Sequence, residues 1–283
     1  MAQITVTQGT IEYRDQGSGP PVVLIHGLLV NGTVWDRVVA ALAGRARCIA
    51  PDLPLGSHHV PMAGNADLSP TGLARLIADV IERLGLQDVT LVANDTGGAL
   101  AQIVAANHPQ RIGRLVLTNC DAFENFPPPA FKPLVGGLAR VPGAVAALEL
   151  MGRSRRMRAA TMSVAPLTVE PVPDELLKGW ISPLRDTNVR RDLVKVCRGI
   201  SPRYTVDAAV KLRTFSHPAL IVWGLRDPFF KVADGERLAE LLPDARLERI
   251  ENARTFVQMD APQRLAELVA EFASGPVETS AER

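Results

Sequence analysis

The sequence predicts an α/β fold in which a mostly parallel sheet is flanked by helices and carries an inserted helical cap. Two observations support this prediction. Short apolar runs alternate with helical segments over residues 21–119 and again over residues 218–273. Between these stretches the alternation stops, and residues 123–205 are rich in proline, arginine and small residues. Alternation on both sides of one insertion is typical of a parallel sheet covered by helices, which binds ligands at the carboxyl ends of its strands.

The individual elements follow from local patterns. Residues 3–16 alternate around Gly9, which predicts an opening hairpin. Ser69 and Pro70 are suited to the cap and first turn of the helix that follows them. The predicted strands are 21–25, 46–50, 88–93, 113–119, 218–223 and 245–250. The predicted helices are 34–43, 70–85, 98–107, 134–150, 174–197, 234–242 and 262–273.

These elements divide the chain into a core and an insertion. We expect residues 1–122 and 206–273 to form the core, residues 123–205 to form the cap, and residues 274–283 to form a flexible tail. Over residues 124–205 there are thirteen Lys or Arg and seven Asp or Glu, an excess of +6. Since the whole chain carries +1, the remainder carries about −5. A basic cap therefore covers an acidic core.

The composition argues against several classes of protein. The chain has 283 residues, of which 47% are hydrophobic and 22% charged, and its net charge of +1 gives no sign of nucleic-acid binding. No apolar run reaches the roughly 18 residues that a membrane helix needs. The first ten residues lack the pattern of a signal peptide. Three widely spaced cysteines favour a reducing, cytoplasmic location: Cys48, Cys120 and Cys197.

The strongest local signal is Ala-Asn-Asp-Thr-Gly-Gly at residues 93–98, between a predicted strand and a predicted helix. A sharp strand-to-helix turn lifts one side chain above the sheet, and it needs small residues on either side of the lifted one. Here the lifted residue is Asp95, and the helix N-terminus beneath it favours an anion. The alternative is that Asp95 is a simple helix N-cap.

A second signal lies at His26-Gly27, directly after the apolar strand 21–25. In the setting of such a turn, the loop after this strand supplies one main-chain N–H to an oxyanion hole. Leu28 would donate that N–H, and Thr96 would donate the second one.

Taken together, these motifs resemble the α/β-hydrolase superfamily. The resemblance also rests on Pro-Asp-Leu-Pro at residues 51–54 and on the stretch at residues 221–230, and it covers roughly residues 3–122 and 206–273. An aspartate at the turn is most similar to the haloalkane dehalogenase and epoxide hydrolase branch. The resemblance implies that the carboxylate of Asp95 forms an ester, which water activated by a histidine then hydrolyses.

That histidine is missing from the sequence. The family pattern after the last strand is N-A-G-H-F-x-x-x-D-x-P, and Phe256, Asp260 and Pro262 fix the register. Arg254 then stands in place of the glycine and Thr255 in place of the histidine. Threonine cannot act as a base near neutral pH, because its hydroxyl does not titrate there.

Other residues could complete the catalytic set. Asp227 and Asp121 each occupy a position where the superfamily carries its acidic partner, although either could instead shape a turn. His58 or His59 could replace the missing base, since their loop leaves the carboxyl end of a strand; the alternative is an exposed loop.

The resemblance also implies partners that this chain lacks. In the dehalogenase branch a tryptophan after the nucleophile and an asparagine after His-Gly hold the halide, and here those positions are Thr96 and Leu28. The epoxide hydrolase branch uses two cap tyrosines, whereas this cap contains only Tyr204. Six residues are expected to contact substrate: His26, Asn94, Phe123, Phe126, Arg254 and Thr255.

The sequence therefore predicts an enzyme that acts on a small, largely apolar molecule, with Asp95 as nucleophile or general base. Without a histidine an ester would hydrolyse slowly, which favours the general base. The alternatives are a ligand-binding pseudoenzyme and a non-hydrolytic lyase or cyclase. We expect no cofactor, no metal, no nucleic-acid partner and no membrane association, and the oligomeric state is left open.

Overall fold

The computed structural model describes residues 1–161 and 166–275 and contains one eight-stranded sheet. Its strands lie in the order β1-β2-β4-β3-β5-β6-β7-β8. Strands β3 to β8 run parallel, whereas β1 and β2 form an antiparallel edge. The strand bounds are β1 (Ala2–Val6), β2 (Gly9–Gly17), β3 (Pro21–Ile25), β4 (Arg47–Pro51), β5 (Val89–Asp95), β6 (Ile112–Cys120), β7 (Ala219–Gly224) and β8 (Ala245–Ile250).

The helices of the described residues alternate with the strands, except between β6 and β7, where six follow one another. This is the predicted architecture of a sheet flanked by helices with an insertion. The helix bounds are α1 (Asp36–Ala41), α2 (Pro70–Arg83), α3 (Thr96–Asn107), α4 (Lys132–Arg140), α5 (Ala144–Gly152), α6 (Arg155–Thr161), α7 (Asp174–Ile181), α8 (Thr187–Gly199), α9 (Pro202–Leu212), α10 (Val232–Leu241), α11 (Val257–Asp260) and α12 (Pro262–Ser274).

The two long helices predicted in the insertion are each divided. Helix α4 ends at Arg140, and α5 begins only after Gly143, whose φ of 79° is left-handed and cannot continue a helix. The predicted helix 174–197 breaks into α7, a short 3-10 turn that contains Pro183, and α8. Proline lacks the N–H that a helix interior requires, so the break falls at this position.

The predicted boundary at residue 205 falls inside α9. The buried side of this helix, formed by Ala208, Ala209 and Leu212, belongs to the same apolar cluster as α2 and α3. We propose that the insertion ends with α8 and that α9 belongs to the core. Helix α12 ends at Ser274, and the rest of the predicted tail, 276–283, lies outside the described residues.

Three apolar clusters hold the layers together. One face of the sheet packs against α2, α3, α9 and α10, with buried residues such as Leu73 and Leu238. The other face packs against α1 and α12, around Trp35 and Val269. A third cluster joins α4, α5 and α8 within the insertion. The insertion therefore has an apolar core of its own, seated over the carboxyl edge of the sheet.

Two further features of the described residues bear on function. No single helix among them is long and apolar enough to cross a membrane; one pair bent by 111°, Pro129–Arg140 with Ala144–Gly152, meets that test only when both members are combined. The cysteines Cys48, Cys120 and Cys197 are buried and are not joined in disulfides.

Candidate active site

Asp95 lies at the junction of β5 and α3 in a strained conformation. Its φ of 55° and ψ of −135° fall outside the regions that non-glycine residues favour. The side chain makes no capping hydrogen bond to the first turn of α3. The strained conformation and the lack of a capping hydrogen bond argue against the alternative interpretation of Asp95 as a simple N-cap.

Close packing around this turn explains its glycines. A Cβ atom on Gly27 would stand 2.0 Å from Oδ2 of Asp95. One on Gly97 would stand 2.5 Å from the carbonyl oxygen of His26, and one on Gly98 would stand 2.2 Å from Cβ of Cys120. Since any side chain would clash at these positions, the three glycines allow β3, β5 and β6 to deliver their carboxyl ends to one point.

Burial dominates the electrostatics of Asp95. The pKa of its carboxyl group is raised to about 7, chiefly by desolvation and to a smaller extent by the negative charge of Asp227. Hydrogen bonds from the main-chain N–H groups of Thr96 and Leu28 act in the opposite direction, because they favour the charged form. The two N–H groups expected to form the oxyanion hole thus converge on the carboxyl group of Asp95 itself.

Asp121 lies beside Asp95, just beyond the end of β6. Its side chain is 1% exposed, and Oδ2 accepts a hydrogen bond of 3.2 Å from Oγ1 of Thr96. Burial raises the pKa of Asp121 well above the usual aspartate value, and the charge of Asp95 adds to this effect. Of the two expected acidic partners, Asp121 is the one that shares a cavity with Asp95.

Asp227 is held in the turn after β7. Its Oδ1 accepts hydrogen bonds from the N–H groups of Phe229 and Phe230, at 2.8 and 3.1 Å. Its Oδ2 accepts from Nδ2 of Asn119 at 2.9 Å and from Oγ1 of Thr255 at 2.8 Å. Desolvation still raises its pKa above the usual value. Thr255 therefore occupies a hydrogen-bonding position beside this carboxylate, and its hydroxyl cannot act as a base near neutral pH.

Asn94 does not contact the cavity, contrary to the expectation from sequence. Its Nδ2 donates to Oγ1 of Thr118 and to the carbonyl oxygens of Asn119 and Thr255, and its Oδ1 accepts from Nε2 of Gln258. Asn94 is fully buried. It fixes the loop carrying Thr255 to the two central strands instead of binding substrate.

His26 is likewise structural. It is fully buried, with Nδ1 2.8 Å from the carbonyl oxygen of Gly27, and its Nε2 accepts from the N–H of Leu53 at 2.8 Å. Burial lowers its pKa to about 4, so the ring is neutral near neutral pH. The ring joins the loops after β3 and β4, which explains why it is not available to a ligand.

Neither His58 nor His59 reaches Asp95, so the proposed replacement base is wrong for both. His58 is buried against the cap, where its Nε2 lies 3.4 Å from Oδ2 of Asp192. His59 is exposed and lies near Glu12, away from the cavity.

The cavity beneath the cap has a volume of about 160 Å³. Its polar lining within the described residues consists of Asp95, Thr96 and Asp121. Leu134 is 42% exposed and also lines the cavity, so the wall reaches solvent along α4. The apolar lining residues are Leu28, Leu29, Val30, Pro127, Pro128, Phe131, Leu134, Val135, Leu148, Leu167, Ile200 and Phe256.

The remaining expected contacts lie outside this cavity. Phe123 is covered by the guanidinium of Arg237, 3.8 Å above its ring, and Phe126 is fully buried elsewhere. Arg254 donates through Nη1 to the carbonyl oxygen of Thr168. Thr255 is fully buried beside Asp227. These side chains hold the walls of the site together and do not line it.

Most of the apolar lining was not predicted from the sequence. Seven of the twelve apolar lining residues come from the hinge after β6, from α4 and α5, and from the loop before α7, none of which carries a motif. One signal was present, because Pro127 and Pro128 follow directly on the phenylalanine that was singled out.

Comparison with known proteins identifies the family of the chain. A family model described as alpha/beta hydrolase fold matches residues 20–262. Haloalkane dehalogenase 2 of Mycobacterium tuberculosis is 27% identical over 267 residues, which cover 94% of this chain and 92% of the relative. Pimeloyl-[acyl-carrier protein] methyl ester esterase of Aeromonas hydrophila is 27% identical over 262 residues, covering 90% of this chain and 96% of the relative.

Solved structures give the same result for the fold. Haloalkane dehalogenase DbeA from Bradyrhizobium elkani superposes with a TM-score of 0.79 at 20% identity, covering 97% of each chain. An alpha/beta hydrolase fold protein from Burkholderia ambifaria superposes with a TM-score of 0.78 at 25% identity, covering 95% of this chain and 97% of that one.

The fold and the turn at Asp95 thus define a hydrolase-type enzyme. The chain belongs to the α/β-hydrolase-fold family.

Proposed function

We propose that the protein is a hydrolase that acts on a small, largely apolar substrate through the carboxylate of Asp95. The observation that carries this proposal is the position of Asp95 on a strained turn, in an otherwise apolar cavity, with the N–H groups of Leu28 and Thr96 bound to its carboxyl group. Strained residues of this kind cluster at functional sites.

The hydrogen bonds of Asp95 favour the role of nucleophile over that of general base. If one carboxylate oxygen attacks the substrate, the other stays with the N–H groups of Leu28 and Thr96. Hydrolysis of the resulting ester places a tetrahedral oxyanion on the carboxyl carbon of Asp95, where the same two groups stabilise it. A general base would leave this oxyanion hole filled by the base itself. The missing histidine favoured a general base, but the hydrogen bonds of Asp95 support the nucleophile more strongly.

The size of the cavity limits the substrate. A dry protein cavity of about 150 Å³ accommodates a molecule of the size of benzene. At about 160 Å³, the cavity here suits a compound with a similar number of heavy atoms. Its largely apolar walls lower the local polarity around Asp95, which strengthens the electrostatic interactions of its carboxyl group.

The named activities of the relatives, a haloalkane dehalogenase and a methyl ester esterase, support a hydrolytic reaction. A competing function is ligand binding without turnover. The hydrogen bond from Thr255 to Asp227 favours this alternative. It occupies the position expected for a catalytic histidine, and the threonine hydroxyl cannot act as a base.

Single turnover in water enriched in oxygen-18 separates these functions. The protein is incubated in excess over small epoxides, esters and haloalkanes, and the peptide that contains Asp95 is then analysed by mass spectrometry. We expect the heavy oxygen to enter the carboxyl group of Asp95, because water attacks its ester carbonyl carbon. Asp95→Asn should abolish the reaction, whereas the matched exposed substitution Asp207→Asn should leave it unchanged.

Two results would contradict the proposal. Heavy oxygen that enters the product directly in the first turnover, with none in Asp95, would identify a general base. Ligands that bind in the cavity without forming an adduct or a product would identify a binding protein.

A further inference from the structure

Two carboxyl groups share the cavity. Asp95 and Asp121 both line it, and the N–H of Asp121 donates to the carbonyl oxygen of Asp95 at 3.4 Å. Oδ2 of Asp121 accepts from the hydroxyl of Thr96, whereas its Oδ1 is buried without a hydrogen-bond partner among the described residues. An ionised carboxylate in this position would leave a desolvated oxygen unpaired, which is costly. A protonated Asp121 avoids that cost and offers an O–H group to a ligand in the cavity.

We propose that Asp121 is the proton carrier of the reaction: it protonates the departing oxygen of the substrate and then accepts a proton from the hydrolytic water. This proposal rests on the proposed function, since it requires an ester at Asp95. It assigns to Asp121 the task for which the related enzymes use a histidine, and it explains how the ester is released although Thr255 cannot act as a base.

The charges and hydrogen bonds of the site determine which of its three carboxyl groups keeps its proton longest. Asp227 accepts the most hydrogen bonds of the three carboxylates, and these bonds favour its charged form. Its charge raises the pKa of Asp95, and the charge of Asp95 in turn raises that of Asp121. The thiol of Cys120 also faces the pair, and burial keeps it protonated. Asp121 is therefore the last of the carboxyl groups to lose its proton, as expected for two like charges at one site.

In the first step, an oxygen of the Asp95 carboxylate attacks the substrate carbon, and the bond from that carbon to the leaving oxygen breaks. The electron pair goes to the leaving oxygen, which takes the carboxyl proton of Asp121. The products of this step are a neutral hydroxyl group, an ester at Asp95 and a carboxylate at Asp121.

In the second step, the Asp121 carboxylate takes one proton from water while the water oxygen adds to the ester carbonyl carbon of Asp95. The N–H groups of Leu28 and Thr96 hold the oxyanion that forms. When it collapses, the bond between the acyl carbon and the alcohol oxygen breaks, and that oxygen takes the remaining proton of the water. Asp95 is again a carboxylate and Asp121 again an acid, so the cycle consumes only water.

The carboxyl groups of Asp95 and Asp121 also determine which leaving group the site can release. A halide would be released as an anion beside two carboxyl groups, and the hydroxyl of Thr96 is already committed to Asp121. An oxygen leaving group becomes a neutral alcohol once Asp121 protonates it. The substrate class is therefore a small neutral compound whose reacting carbon bears an oxygen that departs with a proton, and not a haloalkane.

Carbon-13 NMR of protein labelled at the aspartate carboxyl carbons tests the position of the proton without any substrate. We expect the Asp95 signal to titrate near pH 7 and the Asp121 signal to titrate later. Asp95→Asn should lower the pKa of Asp121, because it removes the neighbouring charge. Asp121→Asn should leave the pKa of Asp95 almost unchanged, because Asp121 is neutral while Asp95 ionises. The exposed control Asp207→Asn should change neither value.

Two NMR results would overturn the proposal: both signals titrating together near the usual aspartate value, or a fall in the pKa of Asp95 in the Asp121→Asn variant. Thermal melting confirms that each variant is folded. As a second variant, Thr96→Val keeps both carboxyl groups and should raise the pKa of Asp121 further, because the hydroxyl of Thr96 lowers it.

A matched pair of probes tests the leaving group. Cyclohexene oxide releases an oxygen and bromocyclohexane releases a halide from rings of the same size. We expect hydrolysis of the oxide, a loss of about 100-fold or more in Asp121→Asn, and no reaction with the bromide. Bromide turnover, or an Asp121→Asn variant as fast as wild type on the oxide, overturns the proposal. If neither probe reacts but the NMR titration is as expected, the result would contradict the proposed function and would still support a protonated Asp121.

Discussion

The hydroxyl group of Thr255 donates a hydrogen bond of 2.8 Å to Oδ2 of Asp227. The side chain of Thr255 is fully buried, and its carbonyl oxygen accepts a further hydrogen bond from Asn94. The loop after β8 is thus held in place on both sides without a histidine. The carboxylate of Asp227 is thus bound to a hydroxyl group that does not titrate near neutral pH.

This relationship makes Thr255→His an informative substitution. A histidine here would find Asp227 ready to accept its N–H, and we expect it to increase the rate at which the Asp95 ester is hydrolysed. The larger side chain in a filled site should lower the free energy of unfolding by about 1–3 kcal/mol. The decay of the ester is followed by intact-mass spectrometry. Adding Asp227→Asn to the variant should remove the gain; an unchanged decay rate in folded Thr255→His would refute the expectation.

Asp95→Asn should change how stability depends on pH. The pKa of Asp95 is raised from 3.8 to about 7 in the folded protein, so the folded state binds the proton more tightly. This contribution is fully present below the unfolded value and is lost as pH rises to about 7, up to about 4 kcal/mol in total. Asparagine avoids that loss. Chemical unfolding at pH 5 and pH 8 should therefore show the variant more stable than wild type only at the higher pH.

A uniform loss of stability at both values would mean that the charge of Asp95 supports α3, which is the simple N-cap interpretation. Asp207→Asn serves as the control, since its side chain is exposed.

His26→Gln should act on the acid side of the stability profile. The pKa of His26 is lowered from 6.5 to about 4 in the folded state, so the unfolded chain binds a proton that the folded protein does not. Stability is therefore lost as pH falls from about 6.5 to about 4. The variant should be less stable at pH 7, because it disturbs two buried hydrogen bonds, but its unfolding free energy should fall less on acidification. The unfolding free energies of both proteins are measured with urea. If they fall equally as the pH is lowered, the protonation of His26 does not cause the loss of stability.

Gly27→Ala should abolish the reaction at Asp95. The added Cβ would stand 2.0 Å from Oδ2 and 2.7 Å from Cβ of Asp95, so the turn or the loop must move. Gly137→Ala is the matched control, because nothing lies within 4 Å of its added Cβ. In the middle of α4 this second change should stabilise the protein by about 0.5–1 kcal/mol. Turnover and thermal melting of both variants check this, and a fully active Gly27→Ala would contradict the close approach.

The sheet and the turn at Asp95 could be predicted because their signals are local. Apolar runs of five or six residues specify buried strands. Strand β8 spans Ala245–Ile250, the same residues as the predicted strand. The close approach of the backbone after Asp95 requires glycine there, and these glycines can be read directly from the sequence. Thr255 could be placed for the same reason, since its spacing to Phe256 and Asp260 fits the family pattern that the sequence resembles.

The environment of the site could not be predicted, because it depends on contacts between distant segments. His58 lies on a loop that leaves the active edge of the sheet, yet its partner Asp192 is 134 residues further along the chain. Nor does local pattern reveal that the side chains of Phe123 and Phe126 turn away from the cavity. Helical periodicity alone cannot specify the breaks at Pro142 and Pro183, which decide how the cap covers the cavity.

The burial of the three cysteines determines how the protein responds to chemical probes. Burial raises the thiol pKa of Cys48 to about 11 and that of Cys197 to about 12, and it raises the thiol pKa of Cys120 well above its usual value. Soft electrophiles such as maleimides and iodoacetamide need an accessible thiolate, and they will find none of these three. The cavity instead presents one hard oxygen nucleophile, the carboxylate of Asp95, beside the carboxyl group of Asp121. Reagents that alkylate carboxyl groups should therefore label this site selectively, in a chain that standard cysteine profiling would overlook.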